Sequence, residues 1–223
     1  VCGLRSGTVA ADVEMGPEFF ARIRRRHTAS SERVTPSCGG YGRCGGCVLQ
    51  HLSYDAQLLR KHQLVEAELT AAGLSCDVAP IVPSPSPLGY RSRVKLVAAS
   101  AAQPEPGDVV QPGIVSHLGA YAPRSHDVID MAGCRTNEPA LQALAQKLRA
   151  VTTRLGISAY DEALGRGVLR YVLLRSVASG ALQLSLVHAD ALPEPLLTEL
   201  LTSLLSVEPR LASVVLHRNQ SRG

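Results

Sequence analysis

Residues 36–51 read Pro-Ser-Cys-Gly-Gly-Tyr-Gly-Arg-Cys-Gly-Gly-Cys-Val-Leu-Gln-His, and three of them are cysteines. Cys38, Cys44 and Cys47 fall within ten residues, and most of the positions between them are glycine. Because such a loop has few side chains that can pack, a bound metal is the natural source of its order. Thiolates are soft ligands suited to zinc or iron–sulfur clusters, and glycine lets the backbone approach a cluster closely.

A four-thiolate site needs one more ligand than this loop supplies. Cys134, in the segment Met131-Ala-Gly-Cys-Arg-Thr-Asn137, is the best candidate, because Cys2 and Cys76 are isolated. The sequence therefore predicts a metal site built from Cys38, Cys44, Cys47 and Cys134.

Two other uses of the cysteines stay open at this point. A disulfide framework is the weaker alternative, because six cysteines in 223 residues are sparse and we expect a reducing cytosol. A structural zinc site usually takes two closely spaced cysteine pairs. Here one pair, Cys44 and Cys47, is joined by a cysteine six residues upstream and another far downstream. This asymmetry favours an iron–sulfur cluster over zinc.

Composition limits the class of protein. A chain of 223 residues that is 45% hydrophobic suits one large or two small globular domains. No apolar run has the length of a membrane span or the layout of a signal peptide, so we expect a cytoplasmic protein without membrane contact. The chain begins at Val1 and ends at Gly223 after an apparent strand, and we expect both ends to be cut.

The net charge of +4 alone does not imply nucleic acid, but the basic residues are unevenly distributed. Across residues 22–33, five arginines and His27 face a single acid, Glu32. Such a run suits phosphate contacts, although a solvated strand or turn explains it about as well.

Hydrophobic periodicity predicts mixed α and β structure. Residues 1–35 read as short strands, and a helix follows the cysteine loop, with Ser53 as N-cap and Gly73 at its end. Its apolar stripe is Leu58, His62, Val65, Leu69 and Ala72. The segment 80–87 is a proline-rich extended connector.

The second half of the chain predicts strands near 113–121 and 126–130, and then a helix capped by Asn137 and ended by Gly156. Its stripe reads Leu141, Leu144, Leu148, Val151, Leu155. The last third is a ββαβ pattern. It consists of a hairpin around Ser179-Gly180, a leucine-rich helix to about Ser206, and a strand over 211–217.

The strand predicted over 90–98 is a candidate for RNA contact. Alternation places Arg91, Arg93 and Lys95 on one face, and Tyr90, Val94 and Leu96 on the other. A solvated edge strand that carries protective charges is the competing interpretation.

The segment from Arg33 to Leu69 resembles the iron–sulfur RNA uracil-5-methyltransferases, especially the bacterial 23S ribosomal RNA branch. That family has a Cys-x5-Cys-Gly-Gly-Cys loop, a Gln-His pair and a Tyr-x2-Gln-Leu-x2-Lys helix. The residues that match these motifs are Cys38, Cys44-Gly-Gly-Cys47, Gln50-His51 and Tyr54 to Lys61. The likeness continues through Tyr90-Arg-Ser-Arg93, Gly119-Ala-Tyr121, Ser125 to Asp130 and Leu169 to Arg175, and so covers nearly the whole chain.

The resemblance implies an α+β protein in three parts. Residues 1–35 would be the remnant of a TRAM domain, an OB-like RNA-binding barrel. Residues 36–79 would be the iron–sulfur loop and its helix, and residues 80–223 a central α/β RNA-docking domain that ends in the ββαβ unit. The metal would be a [4Fe-4S] cluster on the four cysteines.

Enzymes of this family bind S-adenosylmethionine and carry out catalysis in a Rossmann-like C-terminal domain. That domain has a Gly-rich motif, a nucleophilic cysteine near an Asp-Pro-Pro-Arg motif and a late general base. None of these motifs appears in residues 1–223. We therefore assign no catalytic or S-adenosylmethionine-binding residue in this chain, and we expect it to be inactive by itself.

The partner implied by the resemblance is RNA, ribosomal RNA in particular, and we expect a monomer. The candidate RNA contacts are Arg91, Arg93, Lys95, Gln50, His51, Arg24 and Arg26, and the candidate stacking residues are Tyr41, Tyr90 and Tyr121. Three alternatives remain: a transfer RNA uracil-5-methyltransferase, a non-catalytic RNA-binding module that holds zinc or an iron–sulfur cluster, and an iron–sulfur electron carrier.

Overall fold

The computed structural model describes residues 9–14, 20–100, 113–131 and 133–221, with 9–14 and 20–24 described by backbone alone. The chain forms two compact units. The smaller comprises Val1–Ser37 and Cys47–Pro85, and the larger comprises Cys38–Gly46 and Ser86–Gly223. The three-part division into 1–35, 36–79 and 80–223 stays a prediction.

The smaller unit contains an antiparallel pair of strands and one long helix. Strand β1 spans Val9–Glu14, strand β2 spans Phe20–Arg26, and helix α1 spans Tyr54–Ala71. The interpretation of this strand pair as a TRAM remnant stays a prediction.

Helix α1 begins and ends as its sequence predicts, but its apolar stripe is not buried. The Ser53 hydroxyl accepts a hydrogen bond from the Ala56 amide at 3.4 Å, and Gly73 follows the helix with a φ of +74°. Ala56 is the only buried residue within the helix. Val65, which the stripe predicts to be covered, is 45% exposed.

The larger unit is a six-stranded sheet with two helices. In chain order its elements are β3 Arg93–Ala99, β4 His117–Tyr121, β5 Val128–Asp130, α2 Pro139–Arg154, β6 Leu169–Ser176, β7 Leu182–His188, α3 Glu194–Val207 and β8 Leu211–Arg218. The strand order is β5-β4-β3-β6-β7-β8, and all neighbours are antiparallel except β7 and β8. The predicted ββαβ unit is confirmed by the order β6, β7, α3 and β8. The connection through α3 allows β8 to pair with β7 in the parallel direction.

Both helices of this unit pack on the same face of the sheet. Leu144 and Leu148 of α2 and Leu204 of α3 are fully buried against the inward residues of the strands, among them Leu174 and Leu184. Burying one leucine side chain contributes about 1.5–3 kcal/mol. The sheet therefore has a packed face and, among the described residues of this unit, an opposite face that no helix covers.

Two boundaries differ from the sequence prediction. The cap of α2 is Glu138 rather than Asn137, because Asn137 pairs with Arg91 in an isolated parallel bridge. Strand β3 begins at Arg93, so Arg91 precedes the strand rather than lying on it.

In the part of the chain that the structure describes, no helix has the length and apolar character needed to cross a membrane.

A buried carboxylate joins the two helices of the larger unit. Glu208 follows α3, is 1% exposed, and accepts hydrogen bonds from Arg210 Nε at 2.8 Å and from Lys147 Nζ on α2 at 2.9 Å. The hydrogen bonds from Arg210, with help from Lys147, lower the pKa of Glu208 to about 2 although burial acts in the opposite direction.

We expect Glu208→Gln to lower the free energy of unfolding near pH 7 by about 1–3 kcal/mol, because it removes the negative charge that Arg210 and Lys147 bind. The pKa of Glu208 is lower in the folded state than in the unfolded chain. Its contribution is therefore complete above the unfolded pKa of 4.5 and is lost as the pH falls toward 2. Urea unfolding of both proteins near pH 7 and near pH 3 measures this.

The matched control is Glu199→Gln, since Glu199 pairs with Arg154 at a site where both side chains are more than half exposed. That change should alter stability by less than about 0.5 kcal/mol. A Glu208→Gln loss that stays the same near pH 7 and near pH 3 would contradict the account.

Candidate metal centre and nucleic-acid interface

The first part of the cysteine loop, Cys38–Gly46, belongs to the larger unit and is built from tight turns. The Tyr41 amide donates to the Cys38 carbonyl, and the Cys44 amide donates to the Gly40 carbonyl, both at 3.1 Å. The thiols of Cys38 and Cys44 are free and half-buried. Short-range hydrogen bonds therefore define the backbone conformation of this part of the loop.

Two contacts hold this loop against the rest of the larger unit. Gly45 lies so close to the turn after β4 that a Cβ there would be 2.7 Å from Pro123 Cγ. The Arg91 guanidinium reaches the Gly46 carbonyl with an Nη2–O distance of 3.5 Å, which is a long and weak hydrogen bond.

Cys134 lies in a turn between β5 and α2, as the sequence predicts. The Cys134 amide donates to the Met131 carbonyl at 3.0 Å, and its Sγ lies 3.2 Å from the hydroxyl oxygen of the buried Thr136. The Arg91 amide donates to the Thr136 carbonyl at 2.9 Å. The backbone of Arg91 thus contacts the Cys134 turn, while its side chain reaches the loop that holds Cys38 and Cys44.

Cys47 belongs to the smaller unit, together with Gln50 and His51. The Val34 amide donates to the His51 carbonyl at 2.9 Å, which fixes this segment beside residues 32–34. The side-chain oxygen of Gln50 is buried with no hydrogen-bond partner among the described residues. Burial lowers the pKa of His51 below its usual value, and the charges of Arg33 and Arg26 lower it further. His51 therefore favours the neutral form and is poorly suited to supply positive charge to a phosphate.

The chemistry of the four cysteines suits a soft metal. All four thiols are free and half-buried, and thiolates suit zinc and iron–sulfur clusters. Among the residues that the structure describes, no three His, Cys, Asp or Glu side chains form a group that could hold a metal ion. The donor set therefore fits a cluster by chemistry, and the metal site stays a prediction.

The basic strand presents cations on the open face of the sheet. Arg93 and Lys95 are exposed, whereas Val94 and Leu96 between them are buried. Two residues that the sequence reasoning missed join them from β6. Arg175 lies directly opposite Arg93, and Tyr171 stacks beneath the Lys95 ammonium at 3.9 Å from the ring centroid. Alternation along β6 was visible in the sequence, but its register against β3 was not.

The remaining candidates are scattered. The side chain of Arg24 lies outside the described residues, and Arg26 is exposed. Tyr90, predicted on the covered side of the strand, is 54% exposed because it precedes β3. Tyr121 packs edge-on against His126, with ring centroids 5.4 Å apart. Burial, with Tyr171 and Glu162 nearby, raises the pKa of Tyr121 to about 12, so its phenol stays neutral.

A desolvated arginine, Arg170, lies beside Tyr160 and Tyr171. The Arg170 side chain is 1% exposed, and its Nη2 donates to both carboxylate oxygens of Glu162, at 2.8 and 2.9 Å. Its Nη1 donates to the carbonyls of Asn219 and Ser221, and its guanidinium lies 4.6 Å from the centroid of the Tyr160 ring. Arg170 is thus fully engaged, and we interpret it as a structural tie rather than a free cation.

Proteins named as uncharacterized RNA methyltransferases are similar to the chain in sequence. One from Listeria innocua serovar 6a is 35% identical over 157 residues, which is 70% of this chain and 32% of the relative. One from Clostridium tetani is 34% identical and covers 73% of this chain and 34% of the relative. One from Staphylococcus aureus MRSA252 is 31% identical, with 70% and 33% covered. The chain thus spans about a third of the length of these curated relatives. No protein-family model matches it.

The fold resembles that of a tRNA (uracil-54, C5)-methyltransferase from Pyrococcus abyssi, solved in complex with S-adenosyl-L-homocysteine. The TM-score is 0.56 at 21% identity, over 84% of this chain and 40% of that one. The relatives of the chain are therefore RNA methyltransferases. Together with this fold, they are consistent with the RNA uracil-5-methyltransferase family that the motifs resemble. The 23S ribosomal RNA branch stays a prediction.

The contact of Gly45 with Pro123 can be tested by substitution in the whole chain. Gly45→Ala should lower the free energy of unfolding by about 2–3 kcal/mol, because alanine is strained at positive φ and its Cβ would meet the proline ring. The rate at which Cys44 is alkylated should also rise, since the loop must move away from Pro123. Urea unfolding and mass spectrometry of the alkylated peptide measure the two effects.

Gly42→Ala is the matched control. Gly42 also has a positive φ, of +82°, but a Cβ there would meet nothing within 4 Å. It should lose only the backbone term of about 1 kcal/mol. Equal effects of the two substitutions on Cys44 alkylation would show that the Pro123 contact does not hold the loop.

Proposed function

We propose that the chain is the RNA-docking and cluster-bearing part of an S-adenosylmethionine-dependent RNA uracil-C5 methyltransferase, and that its substrate is 23S ribosomal RNA. The observation that carries the proposal is the Cys-x5-Cys-Gly-Gly-Cys loop, together with Cys134 in the turn after β5. The RNA methyltransferase relatives support the reaction class. The structural neighbour, solved with S-adenosyl-L-homocysteine, supports the methyl donor.

The proposed metal group is a [4Fe-4S] cluster held by Cys38, Cys44, Cys47 and Cys134. When bound, it would supply covalent cross-links between the glycine-rich loop and the turn before α2. Ordering such a loop costs roughly 1–2 kcal/mol per residue in backbone entropy, so ligation would supply much of its folding energy. Arg91 and Thr136 already contact the two segments that carry Cys44 and Cys134.

The role of this chain would be to bind and orient RNA for a catalytic domain that is not part of it. In the family that the sequence resembles, a thiolate adds to C6 of uracil and C5 attacks the methyl group of the sulfonium. A base then removes the C5 proton, so that the thiolate leaves C6 and the C5–C6 double bond forms again. None of the motifs for these steps appears in residues 1–223. We therefore expect no methyl transfer by this chain alone.

The metal identity is tested on the chain purified without oxygen. We expect about four irons and four acid-labile sulfides per chain, and loss of most of that iron in Cys134→Ser because one thiolate ligand is missing. Cys76→Ser is the matched control, since Cys76 is exposed and isolated in sequence. It should keep the wild-type iron content.

Two results would contradict the proposal. Unchanged iron in Cys134→Ser would remove Cys134 from the ligand set. Zinc without sulfide would replace the cluster with a structural zinc site and favour the second candidate function, a metal-stapled RNA-binding module.

RNA docking is tested by binding of the same preparation to ribosomal RNA oligonucleotides. If arginine and lysine side chains contact phosphates, affinity should fall steeply with added salt, because counterions are released on binding. Failure to bind any RNA would overturn the proposed docking role.

A further inference from the structure

The open face of the larger sheet is basic along its strands β3, β6 and β7. On β3, β6 and β7, the side chains that share this face come from alternating positions, and no carboxylate is among them. These residues are Arg93, Lys95, Val97, Tyr171, Leu173, Arg175, Gln183, Ser185 and Val187. The face is therefore suited to an anionic partner, and α2 and α3 cover only the opposite face.

Two arginines face each other at one end of this surface. Arg93 and Arg175 are direct Cα partners across β3 and β6, and both are exposed. Like charges directly opposite one another destabilise a sheet. Neither arginine has an ion pair or a side-chain hydrogen bond with any described residue, whereas Arg60, Arg149 and Arg154 each pair with a carboxylate. An anion between Arg93 and Arg175 would relieve their repulsion.

The other end of the same surface opens into an aromatic groove. Tyr171 is the partner of Val97, four residues along β3 from Arg93, or about 13 Å at the usual rise per residue. Val97 lines a cavity of about 850 Å³ together with Tyr121, His126 and Tyr160. Tyrosine rings can stack on nucleobases, and bases are available for stacking only where RNA is single-stranded.

The acids near the groove are already engaged. Glu162 is bound by Arg170, and the Asp161 carboxylate accepts hydrogen bonds from the Ala163 and Leu164 amides at 2.9 Å. The groove therefore suits a neutral base, and the Arg93–Arg175 end suits phosphate.

We propose that a single strand of RNA lies along the open sheet face, with a phosphate between Arg93 and Arg175 and an unpaired base in the groove beside Tyr121 and Tyr160. This rests on the proposed RNA-docking function and deepens it. It assigns the form of the RNA, its path, and two contact residues, Arg175 and Tyr160, that sequence reasoning missed. The duplex form is disfavoured because its stacked bases cannot enter the groove.

The test compares Arg93→Gln/Arg175→Gln with a control of equal charge, Arg149→Gln/Arg154→Gln. The control arginines lie on α2, over the opposite face, and pair with Asp130 and Glu199. We expect the first variant to bind a single-stranded ribosomal RNA oligonucleotide about tenfold more weakly, and its log–log salt slope to fall by about 0.7, because one phosphate contact is lost. The control should stay within about twofold of wild type.

A second variant, Tyr160→Leu, tests the groove. Loss of stacking should weaken single-strand binding by about tenfold with the salt slope unchanged, because no phosphate contact is lost. Its urea unfolding curve is recorded alongside, so that binding is compared only in folded protein. The wild-type chain should bind the same sequence as a duplex at least about tenfold more weakly than as a single strand.

The failures of the two proposals are distinguishable. If the wild-type chain binds RNA but Arg93→Gln/Arg175→Gln keeps the wild-type affinity and slope, the sheet-face path is wrong and the docking role stands. Equal affinity for duplex and single strand, or no effect of Tyr160→Leu in folded protein, overturns the groove assignment. If the wild-type chain binds neither form, both proposals fail.

Discussion

Burial of one face of a six-stranded sheet beneath two leucine-rich helices is the constraint on which the larger unit depends. Leu144, Leu148 and Leu204 are fully buried against the inward residues of the strands. Because the helices occupy that side, the alternate residues of the same strands are directed away from them. The unit therefore has an apolar face that stabilises the fold and a free face on which polar and charged residues cost little.

The charged groups of the larger unit are of two kinds. Glu208, at the end of α3, is buried and bonded by two cations, and Arg170 is desolvated and held by Glu162. In both cases the partners come from different segments of the chain, so the contacts join those segments. Pairing is required because an unpaired buried charge would be strongly destabilising. Arg93 and Arg175 are of the second kind, since they lie side by side on the open face and neither has an ion pair with a described residue. Such an arrangement is costly for stability alone, which is why it is informative about binding.

The cysteine loop shows how local and distant features combine. Turns within Cys38–Gly46 follow from glycine and short-range hydrogen bonds, and these could be anticipated from composition. The close approach of Gly45 to Pro123, and the position of Arg91 between this loop and the Cys134 turn, could not, because they join residues that are tens of positions apart in sequence. The free thiols are half-buried and chemically suited to a soft metal.

The sequence by itself determined the helices, the hairpin, the ββαβ order and the exposure of Arg93 and Lys95, because periodicity and capping are local properties of the chain. It misjudged the stripe of α1, where Val65 is exposed, since amphipathic spacing does not reveal what lies opposite a helix. Only the tertiary structure decided that Arg175 opposes Arg93 and that Tyr171 lies under Lys95. Strand register is set by non-local pairing and by the packing of α2 and α3 over one face, and neither is encoded in any single segment.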